Sequence, residues 1–354
     1  MTDNTVLIQA QALEAFVNEL LMAGGFSAED ATFQAGALVN TNLWGVDSHG
    51  VMRIPAYLRR MKCKAINPQP NIKVRKGSLG LEVLDGDDGA GFIVGREAMK
   101  RAIQLAKEHN VGVVGAIRSN HFGAAAIYAR MAAEQGMVGI AMTNVMPMIV
   151  AAGAKRPVVG NNPFAVAVPT YGDFPFVLDI SLSKVAGGKI TLAMKKNEKI
   201  PTDWATDSEG HPTDDPEKAF KGFLMPMGEH KGLGIAYLVD ILAGVITGGV
   251  FAHQMKSMYA NATDPSLTGH LMMAINLPAI IGKEEMKERM GAYYQRLKST
   301  PMWDENKEML FPGEIEYRTS IARKKNGIPI PLKTYEELVE LGIELKIKSR
   351  LTSI

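Results

Sequence analysis

The strongest constraint on the fold is a change of hydrophobic period between residues 80 and 180. Short apolar runs at Leu81–Leu84, Val111–Ile117 and Met137–Met142 read as buried strands. Between them, 92–109 and 123–135 place apolar residues (Ile93, Ala98, Met99, Ala102, Ile103 and Ala106 in the first) at the three- and four-residue spacing of helices. Further strands are expected at 164–168 and 176–180. Strands that alternate with helices bury their faces as a sheet covered by helices, so the chain is expected to be α/β. Ligands gather at strand ends in such sheets. His121 falls just past the end of one strand, and Asp179 near the end of another.

The flanks read differently. Residues 8–24 carry Ala12, Leu13, Phe16, Leu20 and Leu21 on one helical face, and Gly24-Gly25 ends the run. Ser27 with Asp30 opens a second helix, expected to run to about Trp44. Pro55 fits the first turn of a third, and Pro68 and Pro70 mark a boundary. The Pro- and Asp-rich stretch 199–222 reads as a long loop. An apolar helix is expected from about 231, a charged one over 283–298, a turn at Pro312-Gly313 and a last surface helix over 331–346.

A composition of 46% hydrophobic and 21% charged residues over 354 is ordinary for a water-soluble chain of one or two domains. The net charge of +2 gives no reason to expect nucleic acid or an anionic membrane as partner. A single cysteine, Cys63, excludes an intrachain disulfide and a Cys-rich zinc site, and suits a reducing, cytoplasmic setting. The first five residues lack the basic region of a secretory signal. Gly232–Phe251 is roughly long enough to cross a bilayer. Asp240 at its middle and its many glycines favour a buried soluble helix.

The chemistry-bearing residues sit between these elements. Asp47-Ser48-His49-Gly50 lies in a helix–helix junction, with Arg53 close behind. His49 titrates near neutral pH, and Arg53 offers a planar fork for a carboxylate. A Ser48–His49 nucleophile is not expected, because adjacent side chains usually diverge. Gly89-Ala90-Gly91 with Gly95 misses the dinucleotide fingerprint, its last glycine being one place late. Ser183 stands where a phosphate loop ending in Gly188-Lys189 needs its first glycine. Two readings of the His residues stay open. His49, His121 and Asp179 could form a two-His, one-carboxylate metal site for a hydrolase or oxygenase. Alternatively His49 is an acid–base group whose ring is oriented, and made more basic, by the Asp179 carboxylate.

The motifs taken together resemble the type-2 malate/L-lactate dehydrogenase family, which also contains ureidoglycolate, sulfolactate and diketogulonate dehydrogenases and a cyclic imino-acid reductase. The resemblance rests on Trp44 to Tyr57, Ser119-Asn120-His121-Phe122-Gly123, Gly160-Asn161-Asn162-Pro163 and Asp179-Ile180-Ser181 with Gly188-Lys189-Ile190. It continues through Pro201–Ala205, Pro212–Pro216, His230-Lys231-Gly232 and Phe311-Pro312-Gly313-Glu314, in order over roughly residues 8–340.

This resemblance implies an NAD(P)-dependent oxidoreductase without a Rossmann domain. Its fold would be a mixed-sheet α/β cofactor domain over 77–224, beside a mainly helical domain built from both chain ends, 1–76 and about 225–354. It implies His49 as acid/base with Asp179 as partner, and Ser48, Arg53 and His121 along the substrate. Asp179, Ile180, Ser181, His230, Lys231, Gly313 and Glu314 would touch the cofactor, with no metal. NAD is expected, NADP being possible. The substrate would be a small 2-hydroxy or 2-oxo acid such as malate or lactate, ureidoglycolate or an imino acid being alternatives, and the assembly a homodimer or larger. A silent ligand-binding relative is the remaining alternative. Lys184 departs from the small or apolar residue expected there, and Met142–Met148 differs among relatives, which bears on the substrate.

Overall fold

The computed structural model describes residues 5–258 and 261–353, so the opening residues 1–4 used to judge targeting lie outside it. The strands are β1 (Thr5–Ile8), β2 (Lys73–Ser78), β3 (Leu81–Asp85), β4 (Val111–Ser119), β5 (Met137–Thr143), β6 (Ile149–Val150), β7 (Pro157–Val159), β8 (Phe164–Val168), β9 (Phe176–Ile180), β10 (Thr268–Asn276) and β11 (Ile328–Pro331). The helices are α1 (Ala10–Ala23), α2 (Ala28–Leu43), α3 (Ile54–Lys62), α4 (Gly91–His109), α5 (Ala126–Ala133), α6 (Gly187–Lys196), α7 (Pro216–Lys221), α8 (His230–Asp240), α9 (Lys283–Lys298), α10 (Glu314–Asn326) and α11 (Leu332–Glu344).

The alternating region folds as its periodicity requires. A seven-stranded sheet runs in the order β2-β3-β4-β10-β5-β8-β9. Only β3 and β4 pair in parallel, so the sheet is mixed. Helices α4 and α5 bury their apolar faces in the main core, including Phe92, Met99, Ile103 and Tyr128. Gly112 and Gly139 are packing glycines: a Cβ on either would stand 2.0–2.1 Å from a carbonyl of α4 or α5.

Strand β10 occupies the centre of the sheet, although it comes from the late segment 225–354. The sheet therefore draws on both units expected from the sequence. β10 is held by His270, which is fully buried between Thr143 Oγ1 (2.9 Å) and Ser119 Oγ (2.8 Å) and stacks on Phe122 at 4.7 Å. Burial pushes that imidazole down to about 3, so it is a neutral structural hub.

The chain ends meet through the β1–β11 pair, beneath which α1, α2 and α11 pack. The cap of α2 forms as expected, Ser27 Oγ accepting from the Asp30 N–H. The apolar stretch expected to be one long helix is instead α8 followed by a π-helical turn, Ile241–Val245. Asp240 is satisfied there, accepting from Asn144 Nδ2 (3.1 Å) and the Ala252 N–H (3.2 Å). Among the described residues no helix is long and apolar enough to cross a membrane.

Candidate functional site

The Asp47–Gly50 stretch is a tight 3-10 turn leading, through a second at Val51–Arg53, into α3. Its shape is set by Asn42 at the end of α2. The buried Asn42 amide donates to Asp47 (2.6 Å) and accepts from the Val51 N–H (2.9 Å). Gly50 follows from this packing: a Cβ there would lie 2.1 Å from Asn42 Oδ1. The glycine makes room for the protein's own amide. Arg323 on α10 then clamps the turn from outside, donating to both Asp47 oxygens (2.6 and 2.9 Å) and to the Asn42 carbonyl.

The turn projects Ser48, His49 and Arg53. Ser48 Oγ lies 3.0 Å from His49 Nδ1, so these neighbours do meet, contrary to expectation; the 3-10 geometry brings them together. Arg53 Nε donates to the Ser48 carbonyl at 2.7 Å. His49 is pushed down to about 4, first by burial and then by the Arg53 cation. It is crowded by protein yet partly open to solvent.

The end of β4 brings His121 beside His49. Its ring stacks on His49 with centroids 5.7 Å apart and planes 21° from parallel. Its Nδ1 is 2.7 Å from the Tyr57 hydroxyl and 3.4 Å from the Gly123 N–H. Burial and then the neighbouring His49 and Arg53 charges hold it well below the ordinary imidazole range. Asn120 anchors the loop: it donates to the Asp88 and Gly89 carbonyls and accepts from Arg60 and the Ser266 N–H. The Gly89–Gly91 turn that missed the dinucleotide pattern has a packing role here. A Cβ on Gly91 would come within 2.2 Å of the Asn120 carbonyl.

Asp179 reaches the far end of that loop. Its Oδ2 accepts from the Ala126 N–H (2.9 Å) at the start of α5. Among the described residues the expected hydrogen bond does not join the His49 ring to Asp179, whose one recorded partner is the Ala126 N–H on Oδ2. His49 is held by Ser48 instead, and burial and Arg53 lower its affinity for a proton rather than a carboxylate raising it. Desolvation pushes the Asp179 carboxyl up to about 6 against the favourable Ala126 N–H. Like His49, it is closely surrounded yet open to solvent on one side. Among the described residues no three His, Cys, Asp or Glu side chains gather to hold a metal ion, so His49, His121 and Asp179 do not form the metal triad left open by the sequence.

Beyond Asp179 the chain turns into a second set of loops. Leu182 and Lys184 pair with Met225 and Met227, which brings Ile180-Ser181 and the starts of α6 and α8 into one region. Lys184 itself pairs with Asp203 (3.0 Å) at the surface. Asn162 of the Gly160–Pro163 turn ties this region to the sheet, accepting from the Val145 N–H and donating to the Ala236 carbonyl in α8. Gly187, Gly188 and Gly228 face open space at their Cβ positions, and His230 and Lys231 are exposed. Gly313, at φ +94, packs against β9 near Pro175 and Val177. The Glu314 carboxylate is buried with Lys298, Arg318 and the Phe311 N–H, so the 312–314 turn offers a ligand its backbone, not that side chain.

The sequence profile described as malate/L-lactate dehydrogenase matches residues 8–339. The chain belongs to the malate/L-lactate dehydrogenase family. This is a family of NAD(P)-dependent oxidoreductases, and the chain is an enzyme of that kind. It is 37% identical to a malate dehydrogenase from Pyrococcus abyssi over 354 residues, covering 98% of this chain and 97% of that one. The solved sulfolactate dehydrogenase from Methanocaldococcus jannaschii superposes with a TM-score of 0.91 at 37% identity, covering 97% of this chain and 98% of that chain. A (2R)-3-sulfolactate dehydrogenase (NADP+) from Chromohalobacter salexigens is 35% identical over 270 residues, 76% of this chain and 81% of that one. The absence of a Gly-rich dinucleotide fingerprint is thus a property of a non-Rossmann dehydrogenase.

Asn42, Tyr57, Arg60 and Arg323 act at this site but escape reading from the sequence. Arg60 carried a signal: it follows Tyr57 by three positions on the apolar face of α3, where a charge is expected only if paired. Asn42 and Arg323 carried none, since their partners lie across a turn or 276 residues away.

Proposed function

We propose that this enzyme moves a hydride between NAD and C2 of a small 2-hydroxy or 2-oxo acid, with malate or L-lactate as substrate. The observation that carries this reading is the stacked His49–His121 pair under the charge of Arg53. It combines an acid–base group, a polar contact and a carboxylate anchor in one cleft. Arg53 and Ser48 hold the substrate carboxylate. That anion offsets the cation that depresses His49, so the ring gains proton affinity as substrate binds. His49 then gives its proton to the C2 oxygen in reduction and takes it back in oxidation. Asp179 acts on this centre through the 121–126 loop that joins it to His121.

The chain's residues fit a dinucleotide. Two helix starts with open glycines, Gly187-Gly188 and Gly228, lie in adjoining segments and suit a diphosphate. Asp179, Ile180, Ser181, His230, Lys231 and the Gly313-Glu314 backbone would line the rest. Bound nicotinamide supplies or accepts the hydride. Residues 77–224 form the cofactor-binding part in this reading, and 1–76 with 225–354 the mainly helical part that lends β10 to the sheet.

A second copy of the chain completes the assembly. Leu238, Ile241 and Val245 recur at helical spacing and, with Ile246, are 45% to 60% exposed, which favours a covering partner. One cysteine, unpaired at the surface, fits a cytoplasmic setting. Sulfolactate is the second substrate reading, because one relative named for it is 37% identical to this chain, as is the malate dehydrogenase above.

The test is oxidation of NADH and NADPH with oxaloacetate, pyruvate, 3-sulfopyruvate and a cyclic imino acid, and reduction of NAD with ureidoglycolate. Substrate-dependent turnover with oxaloacetate or pyruvate and NADH is expected. Turnover with none of them, or activity lost to a chelator and restored by a divalent ion, overturns the reading.

A further inference from the structure

We infer that Tyr57 locks His121 as the Nε2–H tautomer, so that His121 presents a fixed N–H donor to the cleft instead of a second acid–base group. The inference rests on the dehydrogenase reading above and assigns a positioning residue to it.

Two groups converge on His121 Nδ1. One is the backbone N–H of Gly123, at 3.4 Å. A backbone N–H can only donate, so Nδ1 carries a lone pair. The other is the Tyr57 hydroxyl, at 2.7 Å. Facing a lone pair, the phenol must be the donor. The ring proton is then on Nε2. Among the described residues nothing hydrogen-bonds that nitrogen, which leaves it for an acceptor oxygen of a bound acid.

The phenol is well placed to impose this choice. Tyr57 is only 2% exposed, and its ring meets Phe92 edge-on at 5.8 Å. Phe92 in turn lies under Gly123, which adopts φ +77 and has no room for a Cβ. Tyr57, Phe92 and the 121–123 turn are thus one packed unit, and the direction of the O–H is set before substrate arrives. A fixed donor beside His49 makes chemical sense. Two imidazoles free to exchange protons in one cleft would compete for the reacting proton, whereas one donor and one acid–base group divide the work.

The experiment combines NMR with a mutant cycle. Selective 15N labelling of the seven histidines resolves the ring nitrogens, and His121→Gln assigns the His121 signals. At neutral pH the wild-type ring is expected to be neutral with its proton on Nε2, and Tyr57→Phe is expected to shift it toward a mixture of tautomers. Tyr57→Phe keeps the ring packing and should lower kcat/KM about tenfold, the worth of one hydrogen bond. A glutamine amide supplies an N–H near the position of Nε2 and has no tautomer to set. In the His121→Gln background, Tyr57→Phe should therefore cost less than about twofold. A wild-type ring protonated on Nδ1, or on both nitrogens, overturns the proposal. So does a tenfold loss that persists in the His121→Gln background, which would make the phenol purely structural. Failure of the dehydrogenase reading shows separately, as absence of turnover on every acid tested, and the NMR result then decides the tautomer by itself.

Discussion

The His49 and His121 imidazoles stack with centroids 5.7 Å apart, from segments 72 positions apart in the chain. Each ring is partly desolvated and each lies in the field of Arg53. A proton on one raises the cost of a proton on the other, so the pair carries at most one charge near neutral pH. That division supports the proposed assignment of His49 to proton transfer and His121 to hydrogen bonding.

If His49 carries the proton, His49→Ala should lower turnover roughly a hundred- to ten-thousand-fold, the range of general acid–base catalysis. NADH binding, read by fluorescence titration, should stay nearly intact. An unchanged turnover number would remove His49 from this role.

The clamp on the turn predicts a different signature for Arg323→Ala. Asp47 loses two charge-assisted hydrogen bonds at a half-buried site, worth about 1–2 kcal/mol after allowance for solvent. Chemical denaturation should show that loss, and kcat should fall while the Arg53 anchor keeps KM close to its starting value. A fall in stability with full activity would show that the turn holds its shape without the clamp.

Acid should destabilise the protein already between pH 6.5 and 4, through its buried imidazoles. His49, His121 and His270 all bind protons less well folded than unfolded, with His49 down to about 4 and His270 to about 3. As pH falls below the unfolded value of about 6.5, the unfolded chain takes up protons that the folded chain refuses, and stability drops. Asp179 runs the other way. Its folded carboxyl keeps a proton up to about 6, so its cost grows as pH rises from about 4 to 6 and is full above that. Three imidazoles outweigh one carboxyl, so Tm should fall between pH 6.5 and 4. Asp179→Asn should raise Tm at pH 8 and leave it nearly unchanged at pH 4. A Tm that is flat with pH, or an Asp179→Asn gain confined to acid, would contradict these assignments.

The apolar face at the end of α8 predicts an association mutant. Ile241→Glu places a charge among Leu238, Val245 and Ile246 without touching the core, since Ile241 is 45% exposed. Sedimentation should show the wild type as a dimer or larger and the variant as a monomer. An unshifted sedimentation coefficient would place the interface elsewhere.

Much of the frame was legible in the chain. Strands β3, β4, β5, β8 and β9 and helices α1 to α5 follow from hydrophobic period and capping residues, which act over a few positions. β10 escaped because a strand buried on both faces carries no alternation: Leu271, Met272 and Ala274 read as a plain apolar run. β2 escaped for the opposite reason, being fully exposed at the sheet edge. The single long helix expected after residue 231 failed because a π-helical turn leaves no mark in apolar spacing.

At the site the division is similar. Residue chemistry singled out His49, Arg53, His121 and Asp179 as candidates, and the fold brings His49, Arg53 and His121 together while Asp179 meets the far end of the 121–126 loop. The family likeness identified the reaction. Partnership was decided only by tertiary structure. Asp179 was expected to hold His49, and it caps α5 instead; Ser48 was expected to diverge from His49, and it meets the ring. Gly50 is required because Asn42 fills the space where a side chain would stand. A hydrogen bond depends on a few tenths of an ångström and on the direction of a lone pair. Those quantities arise from the packing of distant segments, which local sequence does not encode.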